Sequence, residues 1–128
     1  MKQSFFELNI NTNGQNLYEF TNETLEWIKK NKFSNGVLNL SILHTSASLI
    51  IQENADPDVK TDLLNYFDKL APMNEDYIHS TEGKDDMPAH IKSAVTNNQI
   101  SLSIKDRKLL LGTWQGIFLF EHRIHPQN

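Results

Sequence analysis

Four of the five histidines in this chain, His44, His79, His90 and His122, stand at the ends of sequence elements with carboxylates close by. Neutral imidazole is a ready ligand for zinc and other transition metals, and carboxylates can complete such a site or move protons. The densest group runs from Asp76 and Tyr77 through His79, Thr81, Glu82, Gly83, Lys84, Asp85 and Asp86 to Pro88 and His90. A second group is Glu121-His122-Arg123. For any one of these histidines a packed structural role is the commoner case. His44 closes the apolar strand face of Leu38, Leu40 and Ile42, and His122 lies on the face of Phe118, Phe120 and Ile124. Four together, beside acids, favour one shared site. Their spacing matches no compact metal motif such as H-E-x-x-H.

Other constellations are weaker. A strand through His44-Thr-Ser-Ala-Ser48 sets His44, Ser46 and Ser48 on one face, yet nucleophilic activation needs a direct Ser–His hydrogen bond that this spacing does not establish. Glu53 can supply a carboxylate, while Asp56 before Pro57 is explained as a helix cap. Gly112-Thr-Trp-Gln-Gly116 reads as a turn or bulge, not a dinucleotide fingerprint. Trp114 can stack on an aromatic substrate, although packing is a tryptophan's usual role.

The elements that must position these residues follow from periodicity. Ser4–Ile10 alternates and predicts a strand ending at the Asn13-Gly14 turn. Thr21 is placed to cap a helix through about Lys32, burying Phe20, Trp27 and Ile28, with Asn35-Gly36 as its stop. Val37–His44 returns to period two, and Ala47–Gln52 is apolar on both faces. A helix from Pro57 carries the stripe Val59, Leu63, Phe67 and Leu70, and Pro72 follows its end. The polar connection Met73–Met87 is long enough to be either functional or disordered. Pro88 opens a helix to about Thr96, and strands follow at Gln99–Ile104, Lys108–Leu111 and Gln115–Ile124. The expected architecture is one α+β domain spanning residues 1–128, a mixed and mostly antiparallel sheet with helices on one face. Two strands apolar on both faces imply that another sheet or another subunit covers the second side.

Composition narrows the function classes. At 128 residues and 38% hydrophobic, the chain can bury one core. A net charge of -4 argues against general nucleic-acid binding. No apolar run would cross a bilayer, and no N-terminal signal is evident, so a cytoplasmic address is expected. With no cysteine, there is no disulfide or thiolate site, and any metal falls to histidines and carboxylates.

In order along the chain, His44-Thr-Ser-Ala-Ser48, Glu53-Asn-Ala-Asp-Pro-Asp-Val59, His79-Ser-Thr-Glu-Gly-Lys-Asp-Asp-Met-Pro-Ala-His90, Leu111-Gly-Thr-Trp-Gln-Gly-Ile117 and Glu121-His-Arg123 resemble the YjbQ family. The family is also called UPF0047, or the secondary thiamine-phosphate synthase enzyme family. The third string is highly specific, and the match covers nearly all of the chain from His44 onward. The resemblance implies a homotrimer of α+β domains with a histidine-rich metal-binding or catalytic cleft. It also implies weak thiamine-phosphate synthase activity, which joins an aminopyrimidine pyrophosphate to a thiazole phosphate and releases pyrophosphate.

On this basis His44, His79, His90 and His122 are expected to converge on a divalent metal, zinc or magnesium. His44, Glu53, His79, Asp85 and His90 are the expected catalytic groups. Ser46, Lys84, Asp86, Trp114, Glu121 and Arg123 are expected to bind a small polar or phosphorylated substrate. Magnesium would suit the oxygens of Glu82, Asp85 and Asp86. Lys84, Arg123 and the amides at the helix start can meet phosphate, although no glycine-rich cradle or dense basic clamp is present. Two rival readings are a metal-dependent hydrolase of a small polar substrate and a non-enzymatic trimer that binds a ligand or metal.

Overall fold

The computed structural model describes residues 1–128 as eight strands and three helices. In chain order these are β1 (Thr12–Asn13), β2 (Asn16–Glu19), α1 (Thr21–Lys30), β3 (Gly36–Ser41), β4 (Ala47–Glu53) and α2 (Pro57–Leu70). They continue with α3 (Asp86–Ala94), β5 (Gln99–Lys105), β6 (Lys108–Leu109), β7 (Gln115–Glu121) and β8 (Pro126–Gln127). No helix is long and apolar enough to cross a membrane.

The expected single sheet is divided. One three-stranded sheet has the order β2-β7-β4, another the order β3-β5-β6, and β1 pairs with β8 alone. Every ladder is antiparallel. Ile42 N–H to Asn98 O at 2.9 Å extends the β3–β5 ladder, and one hydrogen bond, Leu49 N–H to Asn97 O at 2.7 Å, ties the sheets together just before β5. Between them lies the main core: Leu38, Ile104 and Leu109 from one sheet, Ala47, Leu49, Ile117 and Leu119 from the other.

The central strand β7 is buried on both faces. Ile117 and Leu119 enter the core between the sheets, while Phe118 and Phe120 join Leu17 under Leu63, Leu64 and Phe67 of α2. Phe67 meets Phe120 edge to face, with ring centroids 5.2 Å apart. This accounts for the doubly apolar β4 and β7, because the second cover comes from the chain itself. The helices are not on one face as expected. Phe20 and Ile28 at α1 belong to the core between the sheets, whereas α2 covers the opposite side of β2-β7-β4.

Local departures have local causes. Ser4–Ile10 alternates like a strand but forms none, because no strand of the chain lies alongside to complete its ladder. Thr21 does not cap α1. Its hydroxyl donates to Glu19 and accepts the Ile117 N–H, tying the helix start to β7. Asp56 caps α2 as expected, accepting the Asp58 N–H at 2.9 Å with Pro57 at the first helical position. The last helix begins at Asp86, two residues before Pro88.

Candidate metal centre

The long polar connection ends in a turn that only glycine suits. Gly83 has φ +111°, in the left-handed region, and its carbonyl accepts the Asp86 N–H at 3.4 Å. The turn puts Asp85 and Asp86 at the start of α3, where carboxylates suit the positive helix end. Asp85 turns away from the histidines and its Oδ2 accepts the Ile124 N–H at 3.0 Å. Asp86, only 3% exposed, turns toward them. Four residues on, His90 shares its side of the helix.

Three side chains meet on the Asp86 carboxylate. His79 Nε2 lies 2.6 Å from Oδ2, His90 Nε2 lies 3.1 Å from the same oxygen, and Arg123 Nη2 donates to Oδ1 at 2.8 Å. The His79 and His90 ring centroids are 5.5 Å apart. The His79 hydrogen bond, with the charges of His90 and Arg123, holds the Asp86 carboxyl below the usual aspartate value of 3.8 against the opposing effect of burial.

His90 carries a further constraint. Its Nδ1 is 3.0 Å from the Thr45 carbonyl, which can only accept, so Nδ1 bears the proton. In the neutral ring Nε2 is then a lone pair aimed at a carboxylate oxygen, two acceptors face to face. A second ring proton resolves this, and so does a cation ligated by both atoms. A histidine anchored through Nδ1–H to a backbone carbonyl, with Nε2 left to face an ion, is also the usual arrangement of a metal-ligating histidine. Ligand atoms of His79, Asp86 and His90 all lie within 4.8 Å of one another. Two imidazoles and one carboxylate form a donor set suited to zinc or another transition metal, and less suited to magnesium, which prefers oxygens.

The other two histidines do not join them. His122 is 1% exposed, and its Nε2 lies 2.9 Å from the Ser48 hydroxyl, while its Nδ1 has no partner. Burial, helped by the nearby Lys92 ammonium, pushes the His122 pKa down to about 3, which keeps the ring neutral. Lys92 is itself 1% exposed and pairs with Asp68 at 2.8 Å. His44 is exposed and lines an adjoining cleft of about 420 Å³ together with Thr45, Ser46, Glu121 and Arg123. Glu121, 3% exposed, accepts the Thr12 hydroxyl at 2.7 Å and the His122 N–H at 3.1 Å.

Glu53 and Trp114 lie elsewhere. Ala47 pairs with Glu121 and Glu53 with Gln115, so six residues of β4 separate the two ends, about 20 Å at strand spacing. There Glu53, Ala55, Asp56, Pro57 and Trp114 border an open hollow. Lys84 and Glu82 are exposed, and Lys84 makes no ion pair. Sequence reasoning missed the Thr45 carbonyl, since a backbone acceptor leaves no residue-type signal. It also missed the Thr12–Glu121 and Lys92–Asp68 pairs, which join distant segments. The Asp86–His90 spacing of four was a usable signal once the helix start is set at Asp86.

Comparison with known proteins agrees with this fold. The family described as UPF0047 protein YjbQ-like matches residues 6–127. UPF0047 protein sll1880 of Synechocystis sp. is 49% identical over 118 residues, covering 91% of this chain and 80% of the relative. UPF0047 protein MJ1081 of Methanocaldococcus jannaschii is 41% identical over 117 residues, covering 91% and 83%. A crystal structure of a YjbQ/UPF0047-family protein from Clostridium acetobutylicum, 34% identical, superposes with TM-score 0.82 over 93% of this chain and 95% of that one. With the family's match running from the N-terminal segment through β8, this chain belongs to the YjbQ-like UPF0047 family.

Proposed function

We propose that the chain is a metal-dependent enzyme whose ion is held by His79, Asp86 and His90. The observation that supports this most is the His90 ring: its proton is committed to the Thr45 carbonyl and its free nitrogen faces the Asp86 oxygen. Bound there, a divalent ion would supply Lewis acidity for a leaving group or an activated water. The chain's own groups do the rest. Arg123 fixes the Asp86 carboxylate from its other oxygen, Thr45 fixes the His90 ring, and the cleft beside His44 and Ser46 receives a small polar or phosphorylated substrate.

For the reaction we adopt thiamine-phosphate synthase-like transfer, in a homotrimer of the cytoplasm that engages neither nucleic acid nor membrane. Assay of purified protein with aminopyrimidine pyrophosphate and thiazole phosphate tests it. Thiamine phosphate should form with added zinc or magnesium, stop on chelation and be absent with His90→Ala. No product under any metal condition removes the synthase label.

A second reading, metal-dependent hydrolysis, has one observation in its favour. The Arg123 guanidinium is engaged by Asp86, and Lys84 alone is a weak clamp for a pyrophosphate. A screen of phosphate esters and amides against wild type and His79→Ala separates the two. Stoichiometric metal binding without turnover in either assay would leave the non-enzymatic binding trimer.

A further inference from the structure

The cleft beside the metal ligands holds a carboxylate that the proposed chemistry leaves without a task. Glu121 ends β7 and stands in the lining of this cleft, 3% exposed, and no cationic side chain pairs with it. Three neutral donors hold it instead. Its Oε2 accepts the His122 N–H at 3.1 Å and the Arg123 N–H at 3.4 Å, and its Oε1 accepts the Thr12 hydroxyl at 2.7 Å. Thr12 in turn accepts the Gln127 N–H at 3.1 Å, and its own proton goes to Glu121, since the Gln127 carbonyl lies farther off at 3.4 Å. A carboxylate offers about four acceptor positions. The one still open is on Oε1, the oxygen with a single donor.

The rest of the cleft sharpens the sign of what it can take. Ile10, Ile42 and Leu119 give it apolar walls. No lysine lines it, and the charge of its one arginine, Arg123, is answered by Asp86 at 2.8 Å. A buried carboxylate without an ion pair is already costly, and a second anion placed beside it adds repulsion. Phosphate or carboxylate groups are therefore turned away. A nitrogen cation instead completes Glu121 through a charge-assisted hydrogen bond while its apolar body meets the isoleucine and leucine walls. The volume of about 420 Å³ lies in the range of small-molecule sites.

We propose that this cleft is a subsite for an organic cation, the amidinium or protonated amine end of a substrate whose other end meets the metal ligands. Glu121 sets the specificity by its charge, and Thr12 is a positioning residue that holds the carboxylate from Oε1. A phosphate carried by the same substrate then points out of the cleft, toward His79, Asp86 and His90. The inference deepens the proposed function and rests on the cleft being where substrate binds, but its test needs neither metal nor turnover.

Benzamidine, titrated into the protein in chelator, is the probe, with benzoate and phenylphosphonate as anions of like shape. Amide NMR should show saturable shifts at Thr12, Glu121, His122 and Arg123, and benzamidine should bind about tenfold or more tighter than either anion. Glu121→Gln, which keeps the shape and removes the charge, should weaken benzamidine by about tenfold or more. His44→Lys sets an ammonium on an exposed position of the same lining, guarding against misfolding of the first variant. It should cut the preference for benzamidine over benzoate by about threefold or more. Equal affinity for the three probes, shifts confined to the Glu53–Trp114 hollow, or unchanged binding in both variants would each overturn the proposal. Benzamidine bound by protein that takes no zinc would uphold the cation subsite while removing the metal reading, and zinc bound by protein that ignores benzamidine would do the reverse.

Discussion

His90 has a partner on each ring nitrogen, the Thr45 carbonyl and the Asp86 carboxylate, whereas His122 has one only, and their surroundings assign them opposite work. His90 sits on the first turns of α3, partly open to solvent, with its Nε2 aimed at a carboxylate that His79 and Arg123 also engage. His122 follows the last residue of β7, fully enclosed, with Ser48 on one nitrogen and Phe120 against its ring at 4.3 Å. The same side chain thus offers a ligand atom where an acid and an open face meet it, and is a neutral packing element where an ammonium and aromatic rings do. What distinguishes the two is the charge of the nearest buried group: Asp86 in one case, Lys92 in the other.

The largest effect expected from breaking this contrast belongs to Asp86. Asp86→Ala leaves Arg123 without its partner and should lower stability by about 3 kcal/mol in urea unfolding. It should also weaken zinc binding by more than the roughly 10–100-fold typical of outer-shell changes, whereas His122→Leu should leave zinc affinity unchanged by titration calorimetry. Equal losses in the two variants would erase the distinction.

Next comes pH. The His122 pKa falls from 6.5 unfolded to about 3 folded, so below 6.5 the unfolded chain takes up a proton that the folded one refuses. Stability should therefore decline between pH 6.5 and about 3, by up to about 1.4 kcal/mol per pH unit, and His122→Leu should flatten that slope. Asp86 acts in a separate window. Its stabilisation is complete above the unfolded value near 3.8 and disappears only as pH falls through its depressed folded value. Urea midpoints from about pH 7 to about pH 3 for wild type and His122→Leu resolve the two.

The smallest expected effect sharpens the geometry. Gly83→Ala forces an L residue to φ +111° and sets a Cβ 3.1 Å from an Asp85 oxygen. It should cost about 1–2 kcal/mol in thermal or urea unfolding and loosen zinc binding by displacing the helix start. An unchanged zinc affinity would mean that the turn does not position Asp86.

Much of this was legible in the residues. Asp56-Pro57 announced α2, and the unbroken apolar runs in β4 and β7 announced strands covered on both sides. His79, Asp86 and His90 belonged to one recognisable string. Periodicity cannot say which strands pair, however, so the division into two sheets was hidden, as was the lack of a neighbour for Ser4–Ile10. The apolar face carrying His122 was itself a warning of burial, outweighed by counting histidines together. That Glu53 and Trp114 lie at the far end of the sheet from His79, Asp86 and His90 follows from how β4 runs along β7, which spacing along a sequence does not encode.

The position of β7 has a consequence for how the molecule is made. This strand lies at residues 115–121, yet it is the middle of its sheet, pairing with β2 from residue 16 and with β4 from residue 47. During synthesis the apolar faces of β2 and β4 must wait, uncovered, until nearly the whole chain has left the ribosome. Closing loops of that length before any contact rewards them makes for slow folding, on the millisecond-to-second scale of other non-local β topologies. The nascent chain is most exposed to aggregation in that interval, and the last long strand to emerge is the one that ends it.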